Sequence, residues 1–137
     1  MSSDVANYRP ISLTSSFSKV FERVIKKQML GYLLENRLIS SHQFGFLALC
    51  STCTQLLDCV NDWTVAIRDR RNVDVIYFDF AKAFDSVSHP KLVHKLRAYG
   101  FCGRLLYILS DFLADRTQRV VLPNGVSTFC PVVSGVP

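Results

Sequence analysis

Tyr77-Phe78-Asp79-Phe80-Ala81-Lys82-Ala83-Phe84-Asp85-Ser86-Val87 is the stretch on which the reading of this chain turns. Its first residues close a β-branched and aromatic run, 73–80, with apolar residues on both faces, the pattern of a strand central to a sheet. Asp79 falls near the end of that run, where a carboxylate is costly to bury unless a cation or a hydrogen-bond donor compensates it. Mg2+ is a natural compensator, because it takes oxygen ligands and keeps waters or substrate phosphates in its remaining positions. The residue types leave two readings open. Asp79 is a metal ligand, or it caps a short helix starting near Phe80, with Asp85 on the solvent side.

On the N-terminal side, Asn7-Tyr8-Arg9-Pro10-Ile11-Ser12-Leu13 reads as extended, since Arg9 precedes a proline and is pushed out of the helical region. Ser15, Ser16 and Ser18 are candidate caps for the segment that follows. There Phe17, Val20, Phe21, Val24, Ile25 and Met29 recur at helical spacing, with Lys19, Glu22, Arg23, Lys26 and Lys27 on the other face. The pattern predicts an amphipathic helix running to about Asn36. Leu56, Leu57, Val60, Trp63 and Ile67 predict a second helix over about 52–69, broken at Arg70-Arg71-Asn72.

On the C-terminal side, His89-Pro90 suits a first helical turn. Leu92, Val93, Leu96 and Tyr99 carry the helix, and Gly100 is placed to end it. Leu105, Ile108, Leu109 and Phe112 predict another, closed around Asp115-Arg116-Thr117. Residues 119–122 and 126–129 flank Pro123-Asn124-Gly125, a hairpin signal. The fold class expected is α+β.

The chain has 137 residues, 49% of them hydrophobic and 20% charged, which suits one globular domain and argues against disorder. Its apolar runs are too short to span a bilayer, and residues 2–10 are too polar for a signal peptide, so no membrane role and an intracellular location are expected. Sixteen basic against eleven acidic residues give a net charge of +5, compatible with a polyanionic partner and equally with ordinary surface charge. Five cysteines, Cys50, Cys53, Cys59, Cys102 and Cys130, form no framework and are expected to be reduced and buried. Cys50-Ser51-Thr52-Cys53 has the spacing of half a zinc site, and no second half accompanies it.

Three motifs in order carry a resemblance. The segment Phe78-Asp79-Phe80-Ala81-Lys82-Ala83-Phe84-Asp85-Ser86-Val87 resembles the first palm motif of reverse transcriptases of the non-LTR retrotransposon (LINE-type, jockey-like) family. Asn7-Tyr8-Arg9-Pro10-Ile11-Ser12-Leu13, followed by Lys19-Val20-Phe21-Glu22, resembles its opening fingers motif. Ser134-Gly135-Val136-Pro137 resembles the start of its next motif, which in the family continues Gln-Gly-Ser. Gln43-Phe44-Gly45-Phe46 and Ser51-Thr52-Cys53-Thr54-Gln55-Leu56 fit the segment between the fingers and palm motifs.

The resemblance implies a partial right-hand polymerase: helical fingers over 1–72, a palm strand with the first metal motif over 73–91, then helices and a hairpin over 92–137, with a short antiparallel palm sheet. It implies template-directed nucleotidyl transfer with Mg2+ (or Mn2+), an RNA template, a DNA primer or target and deoxynucleoside triphosphates, in the nucleus. Asp79 matches the first metal-binding aspartate, and the backbone carbonyl of Phe80 matches a second ligand to the ion. Phe84 matches the bulky residue under the incoming sugar, where its ring would collide with a 2′-hydroxyl. Asp85 matches an acidic position of structural character. Arg9, and more weakly Lys19, match basic positions facing the triphosphate, against the alternative of solvated surface charge.

In the family the remaining carboxylates come from a downstream aromatic-x-Asp-Asp hairpin, which does not occur here. The resemblance therefore implies a piece that ends before the active site is complete and that is inactive alone, the remainder of the polymerase being missing. Where the family has an arginine before the Ser-Thr pair, this chain has Cys50, with Leu47-Ala48-Leu49 replacing a more basic stretch. Such a loss weakens binding by about 1–3 kcal/mol, the scale of a charged hydrogen bond, and reads as decay of the copy. The alternative to an enzyme is a remnant that at most binds nucleic acid through phosphates, or docks on another copy of the polymerase.

Overall fold

The computed structural model describes residues 9–137, so Asn7 and Tyr8 of the opening motif lie outside the described residues. It contains four helices and two small antiparallel ladders, an α+β assembly as expected: α1 (Ser16–Glu35), α2 (Thr52–Arg68), α3 (His89–Ala98), α4 (Gly103–Leu113), β1 (Thr117–Gln118), β2 (Val121–Leu122), β3 (Gly125–Val126) and β4 (Cys130–Pro131). The chain divides into two compact units, one of residues 15–79 and one in which 80–137 is joined by 9–14.

In the first unit, α1 starts where expected. Ser15 is its N-cap, and its Oγ accepts from the backbone N–H of Ser18 at 3.1 Å. At the start of α2, Ser51 and Thr54 form a reciprocal capping box: Ser51 Oγ accepts from Thr54 N–H at 3.1 Å, and Thr54 Oγ1 accepts from Ser51 N–H at 2.9 Å. Both helices end in the same way. Leu38 N–H reaches Leu33 O at 2.9 Å, with Arg37 at φ 53°; Arg71 N–H reaches Ala66 O at 2.8 Å, with Arg70 at φ 56°. These are left-handed terminations normally given to glycine or asparagine, and an arginine there costs about 1–2 kcal/mol. Neither helix buries a side chain, and the two are not packed on each other. Phe17 and Phe21 of the α1 stripe are exposed.

Residues 73–80 depart from expectation. They form no ladder, and Ile76, Tyr77, Phe78 and Phe80 are exposed. The reason is physical: strand propensity describes a pleated surface covered by neighbours, and a ladder needs a second backbone alongside. Among the described residues nothing pairs with this segment, so the two ladders of the fold belong to the C-terminal hairpin. A helix beginning near Phe80 is absent as well. Residues 81–86 are turns, with Ser86 N–H bonded to Lys82 O at 3.0 Å.

The second unit holds the buried apolar residues. Phe101, Leu106 and Leu113 are each under a tenth exposed, and they lie where α3 packs on α4. Pro90 sits in the first turn of α3, and Gly100 ends that helix at φ 93°, as its placement predicts. Beyond α4 the chain forms the expected hairpin, with Pro123-Asn124 as a two-residue turn between β2 and β3. Its ladders are offset. Between the pairs Gln118↔Cys130 and Val121↔Val126 the first strand has two residues and the second has three. The second strand therefore carries a bulge. Ser127 Oγ fills the gap, accepting from Val120 N–H at 2.9 Å and donating to Thr128 O at 3.0 Å. The Arg119 guanidinium lies over the Phe129 ring, 4.8 Å from its centroid.

After β4 the chain returns to the turn that follows Asp79. Gly135 N–H donates to Val87 O at 2.8 Å, Val136 N–H to Phe84 O at 3.1 Å, and Ser88 bridges Ser134. Gly135 is required here on two counts. It stands at φ +88°, and a Cβ on it would come within 2.8 Å of Asp85 O and 3.0 Å of Asp85 Cα.

Two outcomes follow from this distribution of contacts. The isolated chain should exchange the amides of α1 and α2 faster than those of α3 and α4 and should show no single sharp thermal transition; one cooperative melt with uniform protection would contradict it. Gly135→Ala should cost about 1–3 kcal/mol at the strained position and strip exchange protection from residues 135 and 136 while α4 keeps its own.

Candidate functional site

Asp79 ends the first unit. Its carboxylate is exposed and makes no hydrogen bond or ion pair among the described residues. The carboxylate is therefore not the buried, compensated group its apolar surroundings in sequence imply. It is a hard oxygen donor with no competing partner, which suits Mg2+, an ion that takes one or two carboxylates and leaves its other positions to waters and phosphates. A single carboxylate supplies part of such a site. Among the described residues no three His, Cys, Asp or Glu side chains gather as a metal-binding group. Lys19, also in this unit, is exposed on the first turns of α1.

Phe80, Phe84, Asp85 and Arg9 belong to the second unit. Phe80 and Phe84 are exposed, at 80% and 56%. Asp85 is half-buried, and it is its backbone that is engaged: Ser134 Oγ donates to Asp85 O at 3.0 Å. Arg9 is exposed in a segment without regular secondary structure.

Two side chains that sequence reasoning assigned no site role complete the arrangement. His89 Nε2 lies 2.7 Å from Gly135 O. A carbonyl oxygen can only accept, so Nε2 carries the proton. Arg116 Nη1 donates to the same oxygen at 3.2 Å, and Arg116 Nη2 donates to Ser12 Oγ at 3.2 Å. Neither residue carried a local signal for this: His89 reads as a helix start and Arg116 as a loop residue, and their shared acceptor is a main-chain atom distant in sequence.

The cysteines are free thiols and, contrary to the expectation of burial, lie largely at the surface. Cys50, Cys53, Cys102 and Cys130 are exposed and Cys59 is half-buried. Cys50 and Cys53 straddle the capped start of α2, where the chain needs a cap and a polar entry rather than a packed face. Among the described residues no helix is long and apolar enough to cross a membrane.

Comparison with known proteins accords with these motifs. Residues 2–137 match the family described as reverse transcriptase (RNA-dependent DNA polymerase). The chain is 34% identical over 134 residues to the RNA-directed DNA polymerase from mobile element jockey of Drosophila melanogaster, and 31% identical over 134 residues to that of Drosophila funebris; each alignment covers 98% of this chain and 14% of the relative. It is 24% identical over 125 residues to the retrovirus-related Pol polyprotein from type-1 retrotransposable element R2 of Popillia japonica, covering 90% of this chain and 17% of that one. The chain thus spans about a seventh of the length of its jockey relatives. No solved structure matches it. A family match over nearly every residue, with jockey polymerases a third identical across the same span, places this chain in the reverse transcriptase (RNA-dependent DNA polymerase) family.

Proposed function

We propose that this chain is the fingers and early palm of a right-hand, RNA-directed DNA polymerase of a non-LTR mobile element, with fingers over 1–72, the metal-bearing palm segment over 73–91 and the following helices and hairpin over 92–137. The observation that carries this reading is that two of the motifs meet. The Phe84–Asp85 turn and the Ser134-Gly135 segment, 49 residues apart from Asp85 to Ser134, are joined by side-chain and backbone hydrogen bonds. A motif pair that closes on itself is a built feature, and the exposed Asp79 precedes it directly in sequence.

In the complete enzyme, Asp79 and the carbonyl of Phe80 hold Mg2+ (or Mn2+). When bound, the ion would supply charge stabilisation to phosphoryl transfer at the site these two groups would help hold. The other carboxylates come from the remainder of the polymerase, since among the described residues no group of three His, Cys, Asp or Glu side chains gathers around Asp79. Arg9, and with it Lys19, holds triphosphate oxygens; the planar guanidinium of Arg9 matches two of them at once. The Phe84 ring closes the space beneath the sugar and excludes a 2′-hydroxyl. Asp85 serves through its backbone, as an anchor for the turn. The substrates are an RNA template, a DNA primer or target and deoxynucleoside triphosphates, and the work is done in the nucleus. The apolar stripes of α1, α2 and residues 73–80 dock on the rest of the palm, which gives residues 73–80 the neighbouring strand they lack.

Two measurements on a polymerase carrying this chain bear on the reading. Asp79→Asn should lower deoxynucleotide incorporation by about two to three orders of magnitude, the scale of losing a charge-stabilising group at a reaction centre; near-normal extension would remove Asp79 from the site. Phe84→Val should leave deoxynucleotide use largely intact and cut discrimination against ribonucleotides by about ten- to a hundredfold. An unchanged ratio would separate Phe84 from sugar selection.

A further inference from the structure

Gly135 O accepts two side-chain donors that come from different elements. His89 reaches it from the first turn of α3, and Arg116 from the loop after α4. Both side chains are half-buried, and Gly135 itself is buried. The peptide whose oxygen they fix is continuous with the two amides that hold the palm turn, Gly135 N–H on Val87 O and Val136 N–H on Phe84 O. The second nitrogen of Arg116 extends the connection to Ser12, three residues beyond Arg9. Inside one unit, Arg116 therefore bonds both the segment that carries Arg9, at Ser12, and the Gly135 peptide, whose next amide holds the Phe84 carbonyl.

We propose that Arg116 and His89 are positioning residues for the incoming nucleotide, clasping the Arg9 segment and the Phe84 turn to the Gly135 peptide so that triphosphate and sugar are met in a fixed relation. Neither touches the nucleotide. The role rests on the reading of Arg9 and Phe84 given above. Arginine is specified because its planar fork sends one nitrogen to each of two acceptors at once. A lysine ammonium on a flexible stem does not reproduce that geometry. Histidine is specified by reach and by one donor, so glutamine, which also ends in an N–H, is the conservative replacement at position 89.

The test uses the polymerase carrying this chain, with Arg116→Ala, Arg116→Lys, His89→Leu and His89→Gln, and reads two quantities. The first is amide exchange over residues 134–136. The second is single-nucleotide incorporation, resolved into KM, kcat and the ratio of deoxy- to ribonucleotide use. Arg116→Ala is expected to speed exchange at 135 and 136, raise the deoxynucleotide KM about tenfold with kcat changed much less, and lower the deoxy-to-ribo ratio, since misplacing a positioned group is felt in binding and orientation. His89→Gln should restore much of what His89→Leu loses, and Arg116→Lys should not recover the ratio. Should Arg116→Ala fail to fold, Arg116→Lys carries the test, because it keeps the charge and one donor.

Faster exchange with KM and the ratio unchanged would reduce the pair to a structural clasp and overturn the proposal, as would unchanged exchange in every variant. An unsubstituted polymerase that incorporates no nucleotide would sink the functional reading first. That failure is told apart because it precedes any comparison of variants.

Discussion

The second unit depends on one close approach, the backbone of Gly135 laid against the backbone of Asp85. With no side chain between them, three main-chain segments share a small volume: the turn after Asp79, the start of α3, and the strand that returns from the hairpin. The approach lets Gly135 and Val136 donate to Val87 O and Phe84 O while Ser134 Oγ caps Asp85 O. Burying several peptide groups in one place is tolerable because each finds a partner. His89 and Arg116 satisfy the Gly135 oxygen, which would otherwise point into the junction unpaired.

What was legible in the sequence was the part written in local pattern. The stripe from Phe17 to Met29, the capping serine at 15, Pro90 at a helix start, Gly100 at a helix end and the Pro123-Asn124 turn each act over a few residues, and each stands where the sequence places it. The helix ends near Asn36 and at Arg70 also fall where the sequence places them, but the residue types in their left-handed positions do not announce them. Left-handed positions are expected of glycine or asparagine, and here the break comes from the end of the apolar stripe rather than from a permissive residue.

What was not legible depends on partners far along the chain. Residues 73–80 have the composition of a central strand and no neighbour among the described residues, so composition alone could not tell a paired strand from an exposed one. The convergence of His89 and Arg116 on a single carbonyl leaves no trace in residue type or spacing. The site residues stood differently. Asp79 is a carboxylate open to two readings, and its assignment, like those of Phe84 and Arg9, rests on likeness to a family to which the chain belongs.

The bulge in the hairpin has a mechanical meaning of its own. The rung nearest the junction, Thr117↔Pro131, is continued by Val132 N–H on Arg116 O at 2.8 Å, so the returning strand is indexed from its base. The pairs at the tip follow a different count, set off by the extra residue among 127–129. Tip and base are thus two separately registered pieces, joined at the bulge by the Ser127–Val120 hydrogen bonds. A lineage that lengthens, shortens or rewrites the Pro123-Asn124 end alters a free-standing finger, while the residues that matter at the other end keep their alignment. Variation in the tip and constancy at the base can coexist in one short hairpin.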